Sequence, residues 1–301
     1  MARIKEMTSG GPLLLMVAFA LPLMLGNVFQ QMYTVVDTAI VGKALGVDAL
    51  AALGAVDWLN WMIIGMVQGL TQGFSIRMAK EFGARQYEML RKTVASSVLL
   101  SACAAVVLVA IGQAVCKPVL QLLQTPERIL PTSLLYLRII FAGIPIVTAY
   151  NLLSAMLRAL GDGKTPLYAM IAASITNIVL DLVFVLVFHW GVAGAAAATL
   201  IGQLVSCVFC FVQLRKVEIL HLRKSDFTGN RSLCSRLLAL GTPMALQNCI
   251  IAVGGIIIQL VVNGFGVVFI AGFTAANKLF GLLEMAGAAY GFAVVTYVCP
   301  R

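Results

Sequence analysis

The sequence predicts an all-α polytopic membrane protein, and three observations carry that expectation: its composition, the length of its apolar runs, and the placement of its positive charge. Of 301 residues, 61% are hydrophobic and 11% charged, with a mean hydropathy of +0.98, whereas soluble domains carry roughly 25% charged residues. A soluble core has no room for so much apolar surface. Runs long enough to cross a bilayer recur along the whole chain between short charged connections, which excludes a soluble domain on a single anchor. The runs Ile171–Val187 and Ile250–Val262 are apolar apart from a few isolated polar residues, where a barrel strand would alternate polar and apolar residues over about ten positions.

Eight spans follow, near 13–41, 48–78, 93–116, 130–157, 166–188, 191–214, 233–262 and 267–298. The first outruns the roughly 7–15-residue apolar core of a secretory signal, and its pattern recurs downstream, so it stays in the membrane. Several spans exceed the roughly 30 Å hydrocarbon core and must tilt or project from it. Pro22, Pro145 and Pro243 each remove a backbone donor inside a span and invite a bend. Pro22 is the candidate hinge, because it shares a helix with Asp37.

If the eight spans alternate, the cations of the connections fall on one side, apart from Lys43, Lys117 and Arg128. The positive-inside rule then places both termini in the cytoplasm. The formal charge of +9 is spread over short membrane connections with no folded basic domain. The expected partners are therefore lipid headgroups and not nucleic acid. Seven cysteines, scattered without close-spaced histidines or carboxylates, argue against a disulfide framework or metal cluster.

The longest polar connection, Arg215 to Arg236, separates six spans from the last two and sets the expected division: a six-helix lobe over 1–220, then a linker and two helices of a second lobe over 221–301. An internal repeat supports it. Leu21-Pro22-Leu23 with Asn27 corresponds to Thr242-Pro243-Met244 with Asn248; Gly42–Gly46 corresponds to Gly264–Gly266; Gly73-Phe74 corresponds to Gly291-Phe292. Both copies begin on the same side, so the repeat is parallel. With the chain ending at Arg301 on an apolar span, the second lobe is expected to be incomplete.

Ionisable residues inside spans are costly and point to function. Asp37 lies late in the first span, and Asp181 lies four residues after Asn177 in the fifth, so those two side chains share a helix face. Together the three groups are suited to a proton or a small cation such as Na+, since carboxylates in a low dielectric exchange protons near neutral pH. The structural alternative is that Asp37 caps a helix end and Asn177–Asp181 bridges helices. Gln68, Gln72, Gln203, Gln247 and Gln259 are candidates to line a polar cleft, with Met32, Met62, Met66, Phe29 and Trp61 as its adaptable apolar walls. Glu284 lies deep in the last span, six residues from Lys278 and too far round the helix to pair with it. Arg138 is placed to snorkel outward. Gly161-Asp162-Gly163-Lys164-Thr165-Pro166 ends like a phosphate-binding loop but lacks the upstream glycine, and reads as a tight turn before a helix. No nucleophile–base or metal-hydrolase arrangement is visible, so no enzyme is expected.

Several segments resemble the multidrug and toxic-compound extrusion family: Pro22 to Gly54 with Met32-Tyr33-Thr-Val-Val-Asp37-Thr38, Arg77 to Arg85, Leu157 to Pro166, and Asn177 to Asp181. The resemblance implies a two-lobed, twelve-helix antiporter in a bacterial plasma membrane. Such a protein expels amphipathic, often cationic organic compounds as protons or sodium ions enter, and uses no cofactor beyond the coupling ion. It also implies that Asp37, Asn177 and Asp181 form the cation site of the first lobe, and that Pro22 bends as the site is loaded. The seventh span departs from the family, carrying Gln247, Asn248 and Gln259 where many members have an acidic residue. Because alternating access needs two lobes rocking about a cleft, a chain with one lobe and two further helices is expected to be inactive or impaired alone. A lipid or lipid-linked precursor translocase, and a nonfunctional or regulatory membrane fragment, are the alternatives.

Overall fold

In lipid every backbone N–H and C=O must be satisfied within its own segment, and continuous apolar runs meet that demand as helices. The computed structural model describes Gln31 and residues 34–220, 222–223, 226–227 and 231–281, and its described elements are all helical. They are α1 (34–45), α2 (Val47–Gly83), α3 (Tyr87–Leu122), α4 (Leu130–Ala142), α5 (Ile144–Ala159), α6 (Lys164–Asp181), α7 (Gly191–Leu214), α8 (Arg231–Asn263) and α9 (Val267–Gly281). Five are long and apolar enough to cross a membrane, and α4 with α5 makes a sixth span bent by 47°. α1 and α9 belong to the first and eighth predicted spans, most of whose other residues, Pro22, Met32 and Glu284 among them, lie outside the described part.

The bend in the fourth span sits where Pro145 predicts it. Gly143 closes α4, and Pro145 falls in the first turn of α5, where its missing N–H costs nothing. Pro243 behaves differently, because α8 continues through it to Asn263. At the turn before α6, Gly161 takes φ +84°. Asp162 Oδ1 accepts the backbone N–H groups of Lys164 and Thr165 at 3.1 and 3.0 Å, which caps the helix as the turn reading predicts.

One apolar core joins α2, α3, α4 and α7 around Val56, Leu120, Leu137 and Ala196, and a second at the opposite end joins Phe74, Met78, Leu90, Met156 and Leu237. Helices α8 and α9 lie along α2. Small residues permit this approach: Gly69 rests on the backbone at Ala245, Gly73 on Gly241, and Gly54 on Thr274. Polar side chains then fasten the pairs, Asn248 Nδ2 donating to Gly65 O at 2.8 Å and Ser133 Oγ to Ala52 O at 3.1 Å. Outward faces carry Val106, Val107, Ile175, Ile250, Ile257 and Val268, the surface a lipid environment favours.

Candidate functional site

Asp37 is carried by the first turn of α1 as described, Asn177 and Asp181 by the C-terminal end of α6, and Thr199 by α7. Directly after Asp181 the helix widens into a π-helical stretch, Leu182–Val187, a distortion often found beside functional groups. Asp181 is fully buried and Asn177 is 3% exposed.

The structure brings the three predicted residues together. The Asp37 and Asp181 carboxyls are close enough to interact directly, and two carboxyls so placed repel unless a proton or a cation lies between them. Oδ1 of each is buried without a hydrogen-bond partner. With its amide nitrogen facing the carboxyl, Asn177 donates to Asp181 Oδ2 at 3.2 Å and accepts from Thr199 N at 3.3 Å, an orientation set by the surrounding network. Thr199 Oγ1 lies 3.5 Å from Asn177 Nδ2. The result is a cluster of two carboxyls, an amide and a hydroxyl, buried at Asn177 and Asp181 and partly exposed at Asp37 and Thr199, with two unsatisfied oxygens able to hold a proton or a hard cation that prefers oxygen ligands. Among the described residues no group of three or more His, Cys, Asp or Glu side chains is placed to hold a metal ion.

A small cleft of about 30 Å³ continues from this cluster between α6 and α7, lined by Tyr150, Ser174, Asn177, Thr199, Gln203 and Ser206. Gln203 is thus at the cleft, its Oε1 buried without a partner. The other glutamines are dispersed. Gln68 and Gln72 are half-buried on α2, and Gln247 is exposed on α8, where the neighbouring Asn248 turns toward α2 instead. Gln259 is buried away from the cleft: it donates to Asn263 Oδ1 at 2.9 Å, and Asn263 donates to Leu123 O at 2.8 Å. This amide pair fastens α8 to the end of α3, since a buried amide must find partners wherever packing puts it.

Asp57 and Lys278 form a second charged feature, one the sequence reading missed. Lys278 Nζ lies 2.7 Å from Asp57 Oδ2, joining α9 to α2, and both charges are within electrostatic reach of Asp37. Gln31 Nε2 also donates to Lys278 O at 3.1 Å. Asp57 sits inside a predicted span, so the cost of an intramembrane carboxylate was the signal that marked it.

The sequence model of the MatE family matches residues 22–183, a stretch containing Asp37, Asp57, Asn177 and Asp181. The "Probable multidrug resistance protein YpnP" of Bacillus subtilis is 31% identical, the match covering 96% of this chain and 65% of the relative. YoeA of the same organism, also named a probable multidrug resistance protein, is 32% identical over 92% of this chain and 61% of the relative. A solved multidrug resistance MATE family transporter of the MOP superfamily, in its inward-facing conformation, superposes with a TM-score of 0.77 at 26% identity, covering 89% of this chain and 64% of that one. The chain therefore spans less than two thirds of the length of each of these relatives.

Proposed function

Since the chain belongs to the multidrug and toxic-compound extrusion (MATE) family, we propose that it carries the ion-coupling site of an antiporter that exports amphipathic, often cationic organic compounds in exchange for H+ or Na+. Family and fold both point to transport and not to catalysis. The single observation that carries the proposal is the buried contact between Asp37 and Asp181, backed by Asn177, with one orphaned oxygen on each carboxyl. Two carboxyls this close cannot both stay ionised without a proton or cation between them. A small cation that enters and leaves the cluster thereby changes the charge binding α1 to α6.

The lobes follow the division at 1–220 and 221–301, with the second beginning at α8. The repeat gains support from backbone geometry: Gly46 before α2 and Gly266 before α9 hold φ of +85° and +87°, the left-handed conformation glycine adopts at no steric cost. In this reading the lobes meet along α2, against α8 and α9. The basic end of the bundle lies in the cytoplasm of a bacterium, placing the protein in the plasma membrane with its N-terminus inside. Pro22, on the predicted helix that carries Asp37, is the hinge through which loading bends that helix. Full alternating access requires both lobes, so this stretch of chain alone is expected to transport poorly.

Replacing Asp37 or Asp181 with Asn in the intact protein tests the assignment. Efflux of an organic cation from reconstituted vesicles, driven in separate arms by a proton or a sodium gradient, should fall to background in both variants while the protein inserts normally. The arm lost identifies the ion. Undiminished efflux from both variants would remove the coupling role.

A further inference from the structure

The geometry points to a route by which a coupling proton leaves the cluster of Asp37 and Asp181 for the cytoplasm through the seam of α5, α6 and α7, carried by water beside Gln203 and then by Tyr150 and Ser154. The inference rests on the coupling role proposed for that cluster and commits to H+ as the ion.

Polar side chains are expensive between membrane helices, and here three helices each align a ladder of them. On α7 these are Thr199, Gln203 and Ser206, on α6 Asn177 and Ser174, and on α5 Tyr150, Ser154 and Arg158. Steps of three and four residues keep each set on one face of its helix. The ladders of α6 and α7 line one cleft together with Tyr150. Ser154, Ser174, Asn177 and Ser206 are all buried.

The cleft's volume of about 30 Å³ exceeds the roughly 10–15 Å³ that one water needs. Its walls also call for one. The buried Oε1 of Gln203 has no partner in the protein. The hydroxyls of Ser174 and Ser206 donate to Met170 O and Ala169 O at 2.8 and 3.0 Å, which leaves their oxygens free to accept. An amide oxygen and two hydroxyl oxygens give a buried water the two to four polar partners it takes. Asn177 and Thr199 belong both to the carboxyl cluster and to this cleft, so water here meets the proton where the carboxyls release it.

From the cleft the ladder of α5 continues to the basic end of the bundle. The Tyr150 hydroxyl is close enough to Ser154 to interact directly, Arg158 Nη1 donates to Ser154 Oγ at 2.8 Å, and Arg158 is exposed. Asn177 lies about 20 Å along α6 from Lys164, the distance this line has to cover. Around it the seam is apolar, with Leu157, Ala169 and Cys210 buried together. Between α2 and α8, Phe74, Met78 and Leu237 close the way toward the same end. Each water or hydroxyl accepts a proton on one side and gives up its own on the other, so no side chain of the line stays charged. Arg158 ends it with a fixed positive charge, a barrier of the kind that keeps polar membrane pores from leaking protons.

The test uses the intact protein in vesicles whose lumen faces the basic end of the bundle, loaded with ethidium and the pH dye pyranine and placed in acidic buffer. Tyr150→Phe removes one hydroxyl, and Gln203→Leu removes the amide that holds the water. Both should slow proton arrival and ethidium efflux about tenfold, the rate equivalent of one lost buried hydrogen bond. The ethidium KM and the ratio of protons to ethidium should stay at the wild-type values. Slowing in D2O should be larger in both variants than in the wild type, because proton transfer then limits the cycle. A wild-type rate in either variant, a changed ratio, or a slow variant with no added D2O effect would overturn the route. Ethidium efflux without proton arrival in the wild type would overturn it as well. The coupling role survives each of these results if Asp181→Asn still abolishes ion-driven efflux, and it falls by itself if Asp181→Asn leaves efflux undiminished.

Discussion

Asp37 with Asp181, and Asp57 with Lys278, are neighbouring charged pairs in the membrane-spanning part of the molecule, and their chemistry differs at every level. The first pair joins α1 to α6 through two groups of the same charge type, Asp181 fully buried and Asp37 partly so, with a buried oxygen of each left over. The second joins α2 to α9 through opposite charges that remain partly accessible. The first needs something from outside, a proton or a metal cation, to be stable; the second carries its own counter-ion. The difference teaches which pair leaves room for a mobile ligand. The carboxyl pair has two oxygens without partners, and the ion pair is already closed by its own lysine.

The largest expected effect separates function from stability at the carboxyl pair. Asp181→Asn should remove ion-driven efflux to background while leaving thermal stability in detergent unchanged or raised, because an amide opposite Asp37 supplies the hydrogen bond without a second acid. A lower melting temperature would mean the pair is a structural bridge, the alternative already contained in the sequence. At Asp57 and Lys278 the order reverses. Lys278→Met strands a carboxylate in the membrane and should cost about 2 kcal/mol, between the values for exposed and fully buried pairs. Adding Asp57→Leu should recover all but about 1 kcal/mol, since apolar residues of similar volume replace such pairs at little cost. Thermal unfolding of the single and double variants, followed by size-exclusion fluorescence, reads both steps.

Much of this was legible before any coordinates. Lipid permits only helices for such apolar runs, so Gly191–Leu214 was delimited to the residue and the bend at Pro145 was anticipated. Asn177 and Asp181 shared a face by arithmetic alone. What the sequence withheld was contact between helices. Nothing in spacing sets Asp57 against Lys278, because the two are far apart in the chain and meet only through the packing of α9 on α2. Gln259 shows the same limit from the other side: its chemistry suited a cleft, and packing instead gave it Asn263 as a partner. Sequence marks which polar groups are expensive in a membrane, and only the fold says who compensates them.

The smallest expected effect isolates the environment from the geometry. Arg128 Nη2 meets Asp48 Oδ2 at 2.7 Å, the same separation as Lys278 and Asp57, yet these side chains are 74% and 43% exposed at the mouth of the bundle. Water screens the attraction and solvates whichever partner is left behind, so Arg128→Ala should cost about 0.5 kcal/mol and lose even that at high salt. The contrast with Lys278→Met then has one cause. Distance is equal, charge is equal, and both pairs bridge separate helices or their connections. If the two substitutions cost the same, the Lys278 pair is solvated as freely as a surface pair, and its placement between α2 and α9 adds nothing to its strength.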